Sequence, residues 1–246
     1  AGLTHALGML GAAFGEAPVA LAVDTYGWRP TMLVMGLALL ILAVLVFVFV
    51  RDRVSKVKST LPKLGLLEGL TIVLKNKQCW LNAGYLGFTY APVMALAEAW
   101  GVSFLQAGYS LSKTSAAMAV SLMFIGWGVG GPVVGFLSDR MRRRKPMMIM
   151  SSIFGCVLVS IIIYSHGMSL TLLYVLMFII GFTNTGLAVS YALASEVCER
   201  RVAGTSVAFA NMASIVIGMV LEPAIGRVLD IRGGTLIDGV YHYATS

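Results

Sequence analysis

Residues 130–148 read GGPVVGFLSDRMRRRKPMM, and the stretch changes character halfway along. Its first half is apolar and punctuated by Gly130, Gly131 and Gly135. Its second half sets Asp139 and then five basic residues between positions 140 and 145, after which the chain turns apolar again. Positive charge gathered where an apolar segment ends is what a turn at a bilayer surface requires, because Lys and Arg fix the side on which the turn stays.

The rest of the chain agrees. Of its 246 residues 58% are hydrophobic and 12% charged, where soluble domains average about 45–50% apolar and about 25% charged. Too little polar surface remains to enclose so much apolar surface in water, so the natural solvent is a bilayer. Seven apolar runs, near 2–23, 31–50, 79–98, 114–137, 147–164, 170–194 and 205–229, approach the roughly 20 residues that cross a hydrocarbon core. Polar and apolar residues do not alternate, which argues against a β-barrel. The expected fold class is an all-α transmembrane bundle with about seven membrane-spanning helices.

Charge placement then orients the chain. Seven Lys and Arg lie between 51 and 77, five between 140 and 145, and two at Arg200 and Arg201, so three loops hold 14 of 18 basic residues. The positive-inside rule puts loops 51–77, 138–146 and 195–204 in the cytoplasm. The net charge of +7 therefore reads as topology, with the lipid bilayer as partner and no nucleic acid. Seven crossings from an inside start leave Asp230 to Ser246 outside, and a fragment of a longer chain is expected. Cys79, Cys156 and Cys198 sit at a cytoplasmic border, within a span and in a cytoplasmic loop, which implies no disulfide framework. The sequence contains no P-loop, no H-E-x-x-H, no G-x-S-x-G and no metal-ligand cluster among its three histidines, so no metal, no cofactor and no enzyme activity are expected.

Residues 51–78 form a long basic connection whose middle, LGLLEGLTIVLKN, has the spacing of a short interfacial helix. The first span reads GEAPVALAVDTYG and the last LEPAIGRVLDIRG. Aligned on Glu16 and Glu222, each has Asp eight residues on (Asp24, Asp230) and Gly three beyond (Gly27, Gly233), as a parallel repeat produces.

At GFLSDRMRRRK the chain resembles the signature of the major facilitator superfamily, carried here by Gly135, Asp139, Arg140, Arg143 and Arg144. The family pattern usually has Gly where Arg142 stands, which implies a difference in backbone detail at the turn. The resemblance is to the copy of the signature that follows the family's eighth helix, so the chain resembles helices five to eleven of a twelve-helix carrier. Gly11, Gly15 and Pro18 partly resemble the fifth-helix motif of the family's antiporters, but Glu16 and Ala17 interrupt it. In this register residues 1–50 are the last two helices of the N-terminal half-bundle. Residues 51–78 are the cytoplasmic linker between halves, and 79–246 the C-terminal half-bundle without its final helix. The resemblance gives the signature a gating role, since the Asp139 contacts can form in one carrier conformation and break in the other.

Charges inside a span cost about 2.5–3.5 kcal/mol each on insertion scales, so Glu16, Glu222 and His5, which shares a helix face with Glu16, are the candidates for proton coupling or charge recognition. Polar stripes at helical spacing supply candidate substrate contacts: Asn82, Tyr85, Thr89 and Pro92 in the third span, Asn184 and Tyr191 on one face of the sixth, and Asn211, Ser214, Gly218 and Glu222 in the seventh. In the family register the third and sixth of these spans line the central cavity, with the seventh close beside it, making Tyr85, Thr89, Asn184, Tyr191 and Asn211 the expected solute contacts. The alternative role for such stripes is interhelical hydrogen bonding.

The expected function is secondary active or facilitative transport of a small organic solute by alternating access, with H+ as coupling ion. The stretch from Leu96 to Arg140 resembles bacterial carriers for amino acids and small nutrients and, more distantly, lysosomal dipeptide carriers of animals. This implies amino acids or dipeptides as solutes and a monomer in a bacterial inner membrane. Efflux of drugs or organic anions is the alternative within the class. A seven-helix receptor is the alternative outside it, opposed by the inside N-terminus and the lack of a central Lys in any span.

Overall fold

The computed structural model describes residues 7–12, 15, 19, 22–23, 25–50, 65–165, 167–231, 235–237 and 240–242. The chain divides into two compact units, residues 14–63 and residues 1–13 with 64–246. The first expected span, 2–23, lies largely outside the described residues.

In the smaller unit, helix α1 (Trp28–Phe49) has a mean hydropathy of 3.1. Its 22 residues reach about 33 Å at the helical rise, enough for the roughly 30 Å hydrocarbon core. It begins after Gly27, whose φ of 84° breaks the preceding helical path. Thr31 satisfies the Gly27 carbonyl by donating its hydroxyl at 2.8 Å. The Arg29 guanidinium stacks over the Trp28 ring at 5.2 Å, an amphipathic pair suited to the membrane interface.

The larger unit is a helical bundle. It comprises α2 (Leu66–Lys75), α3 (Lys77–Val93), a π-helical segment (Met94–Ala99) and α4 (Gly101–Tyr109). Then come α5 (Lys113–Met141), α6 (Arg144–Tyr164), α7 (Leu170–Thr183), α8 (Gly186–Glu196), a 3-10 turn (Arg200–Val202) and α9 (Ala203–Ile231). A hairpin of three-residue strands, β1 (Thr235–Ile237) and β2 (Val240–His242), follows with Leu236 opposite Tyr241. The helix expected within the long basic connection is α2, which buries Val73. Side-chain oxygens cap the helix starts as the sequence allows: Asn76 accepts from the Gln78 N–H at 2.9 Å, Ser112 from Ser115 at 3.2 Å and Ser169 from Leu172 at 3.3 Å.

Among the described residues five helical segments are long and apolar enough to cross a membrane: Trp28–Phe49, Lys113–Met141, Arg144–Tyr164, Leu170–Glu196 and Arg200–Val228. The third expected run, 79–98, departs from a single straight helix. α3 contains 17 residues and ends beside Pro92, which removes a backbone donor and crowds the preceding turn. The six-residue π segment absorbs that disturbance, with the Trp100 N–H reaching back five residues to the Ala95 carbonyl at 2.8 Å. α4 continues beyond it, and the Tyr109 hydroxyl donates to the carbonyls of Ile162 at 2.6 Å and Ser165 at 2.8 Å.

Glycine lets two helices of the bundle approach closely. A Cβ on Gly126 would stand 2.0 Å from the Phe178 carbonyl oxygen, and one on Gly181 would stand 1.8 Å from that of Met123. α5 and α7 therefore touch backbone to backbone, as small residues permit in lipid. Polar anchoring is found between α3 and α8: Asn82 donates to the Ser190 carbonyl at 3.1 Å and accepts from the Ser190 hydroxyl at 2.8 Å. Large apolar side chains such as Phe136, Phe154, Val175 and Met219 face outward, which a lipid solvent favours.

Candidate functional site

Two clusters of polar side chains converge from different helices. The first is a cavity of about 210 Å³ lined by Met9, Tyr90, Trp127, Leu187, Tyr191, Asn211, Ser214 and Ile215. Here the Tyr191 hydroxyl donates to Asn211 Oδ1 at 2.7 Å, joining α8 to α9. The Tyr90 ring lies 6.0 Å from that of Trp127, and its hydroxyl donates to Glu98 Oε1 at 2.8 Å. Glu222 is half-buried and, among the described residues, forms no ion pair with Arg227. The cavity combines an aromatic wall with a hydroxyl–amide pair, and the Glu98 carboxylate is held on the Tyr90 hydroxyl, a set that can hold an ammonium group and a polar backbone together.

Sequence spacing did not reveal Tyr90, Trp127 and Glu98 as partners of that cluster. Eight residues overshoot two turns of an α-helix by about 80°, which would carry Glu98 away from Tyr90. The wider π turn between them removes that excess. The signal in the sequence is Pro92 followed by an in-span carboxylate at Glu98.

The second cluster is a cavity of about 370 Å³ in which Tyr85, Thr89 and Pro92 of α3 face Ser151, Ser152 and Cys156 of α6, with Asn184 between. Tyr85 donates to the Met148 carbonyl at 3.2 Å, and Ser151 donates to the Thr183 carbonyl. Asn184 is 4% exposed, and its Oδ1 has no hydrogen-bond partner among the described residues. The expected common face of Asn184 and Tyr191 is not formed. The span breaks at Asn184 and Thr185 between α7 and α8, with the Thr185 hydroxyl turned back onto the Phe182 carbonyl at 2.7 Å, so Asn184 and Tyr191 line different cavities. Of the five expected solute contacts, Tyr191 and Asn211 share the first cavity, and Tyr85, Thr89 and Asn184 the second. Glu16 and His5 lie outside the described residues.

The basic corner has its own geometry. Arg144 is the hub: Nη1 reaches Asp139 Oδ1 at 2.6 Å and the Ser138 hydroxyl at 3.0 Å, while Nη2 reaches Glu196 Oε1 at 2.8 Å. This links the end of α5, the start of α6 and the end of α8. Glu196 has no place in the signature, and only the fold brings it there. Arg140 and Arg143 are exposed and form no ion pair among the described residues. A Cβ on Gly135 would meet open space. At Arg142 φ is 50°, in the left-handed region that glycine favours, a conformation that costs an arginine about 1–2 kcal/mol.

These features coincide with a family-wide match. The sequence model of the Major Facilitator Superfamily matches residues 1–223. No curated protein and no solved structure matches the chain significantly. With its apolar membrane-crossing helices and the Asp139–Arg144 corner, the chain is an integral, multi-pass membrane protein that belongs to the Major Facilitator Superfamily, a family of solute transporters.

Proposed function

We propose that the chain is most of a secondary carrier that moves amino acids or dipeptides by alternating access, coupled to protons, in a bacterial inner membrane. Residues 1–50 supply the last two helices of the N-terminal half, 51–78 the linker, and 79–246 the C-terminal half. The observation that carries the reading is the first cavity, where Tyr191 and Asn211 are hydrogen-bonded at 2.7 Å and Tyr90, which lines the same cavity, donates to Glu98 at 2.8 Å. A carboxylate near aromatic faces suits an α-ammonium group, and the Tyr–Asn pair suits an amide or carboxylate. Glu222, half-buried and without an ion-pair partner among the described residues, can exchange a proton as the site changes sides, with Glu16 and His5 as further coupling groups. Tyr85, Thr89 and Asn184 extend the solute contacts. The Asp139–Arg144–Glu196 network acts as the gate, with Gly135, Arg140 and Arg143 in its turn.

A second reading, efflux of apolar drugs or organic anions, draws on a groove of about 480 Å³ lined by Phe88, Leu96, Trp100, Phe104 and Leu221, among others. The family assignment sets aside the seven-helix receptor. Uptake into proteoliposomes of the full-length protein tests the proposal, using radiolabelled amino acids, dipeptides and organic acids with and without an inward proton gradient. The expected result is saturable, gradient-stimulated uptake of an α-ammonium solute, with stimulation lost in Glu222→Gln. Transport of organic anions or apolar drugs alone would overturn it.

A further inference from the structure

We propose that Cys79 and Cys198 form an oxidisable dithiol, a modification site that closes to a disulfide on meeting a small-molecule disulfide such as oxidised glutathione. The two residues are 119 positions apart, yet their sulfurs lie 3.1 Å from one another, and both are free thiols. A disulfide needs about 2.05 Å, so closure asks for a movement of about 1 Å. Cys79 sits in the first turn of α3 and is 3% exposed. Cys198 sits in the bend between α8 and the 3-10 turn and is half-buried, so it is the thiol a soluble reagent reaches first. A bend can make the small movement that a helix resists.

The surroundings hold the two sulfurs side by side. Asn76 Nδ2 donates to the Val197 carbonyl at 3.3 Å and to Cys198 Sγ at 3.5 Å, which holds the bend against the start of α3. The Ser206 hydroxyl lies 3.5 Å from Cys79 Sγ. Metal binding is the weaker use of the pair. Among the described residues no group of three or more His, Cys, Asp or Glu stands together, and amide and hydroxyl neighbours are poor ligands for the soft ions that thiolates select.

The chemistry balances without a further reagent. Cys198 thiolate attacks one sulfur of the small disulfide, forming a mixed disulfide and releasing one small thiolate. Cys79 thiolate then attacks Cys198 Sγ and expels the second. The two protein thiols give up two electrons and two protons, and the small disulfide leaves as two thiols. The new bond ties the start of α3 to the bend leading into α9, the helices that carry Tyr90 and Asn211. In a reducing compartment such a bond is transient. The proposal is independent of which solute is carried.

The test uses the full-length protein in native membranes, treated with oxidised glutathione, denatured and labelled with a polyethylene-glycol maleimide. Of the labels on Cys79, Cys156 and Cys198, those on Cys79 and Cys198 are expected to disappear together. In Cys156→Ser the intact mass should fall by two hydrogens, with no added glutathione. In Cys79→Ser the reaction should stop at a glutathione adduct on Cys198. Retention of both labels, or a glutathione adduct on each cysteine in place of a bond between them, would overturn the proposal, and reversal by dithiothreitol would support it.

Discussion

The backbone contact between α5 and α7 can be tested with a single methyl group. Alanine at position 126 would put its Cβ 2.0 Å from the Phe178 carbonyl oxygen, where ordinary contact begins at 3.4 Å, so the helices must part by the difference, 1.4 Å. That separation also strains the reciprocal contact, in which Gly181 lies against the Met123 carbonyl. Overpacking of this kind costs about 1–3 kcal/mol, and the loosened interface forfeits dispersion contacts along its length. Replacing Gly by Ala in a helix returns only about 0.5–1 kcal/mol, so Gly126→Ala is expected to destabilise overall. Gly135→Ala lies in the same helix, and its added methyl meets nothing within 4 Å. It should be neutral or stabilising by up to about 1 kcal/mol. Unfolding of the full-length protein titrated with sodium dodecyl sulfate in mixed micelles measures both. Equal stability of the two variants would refute the backbone contact.

Three further substitutions probe other parts of the structure. Arg142→Gly removes a Cβ from a left-handed residue and should stabilise the corner by about 1 kcal/mol in the same titration. Arg144→Gln breaks ion pairs whose acidic partners are 69% and 50% exposed. Stability should therefore change by no more than about 1 kcal/mol per pair, while transport in proteoliposomes falls severalfold. Asn82→Ala loses two hydrogen bonds to Ser190 and should cost about 1 kcal/mol at the average membrane value for such bonds, read as a lower unfolding midpoint.

Hydropathy and the positions of Lys and Arg made the membrane helices and the basic corner legible in the sequence, because both are one-dimensional signals that the bilayer imposes directly. Helical spacing also anticipated α2, and Asn211 and Ser214 of the expected α9 stripe line one cavity. It failed where the backbone leaves the 3.6-residue period. The π turn after Pro92 brings Glu98 to Tyr90, and the break at Asn184 and Thr185 separates Asn184 from Tyr191. Contacts between distant segments leave no periodic trace at all. Glu196 on Arg144 and Cys198 on Cys79 come together only when α8 and the bend after it pack beside α3 and α6. The left-handed turn at Arg142 was hidden for a different reason, since a strained position betrays itself only when glycine occupies it.

Alternating access requires the cavity around Tyr191 and Asn211 to open to each side of the membrane in turn. Cysteine placed at position 211, in a full-length protein whose native cysteines are replaced by serine, can be labelled with an impermeant maleimide applied from one face or the other. The account predicts labelling from both faces, with the balance shifted by the transported solute. Labelling from one face only, unchanged by any solute that the protein moves, would contradict it.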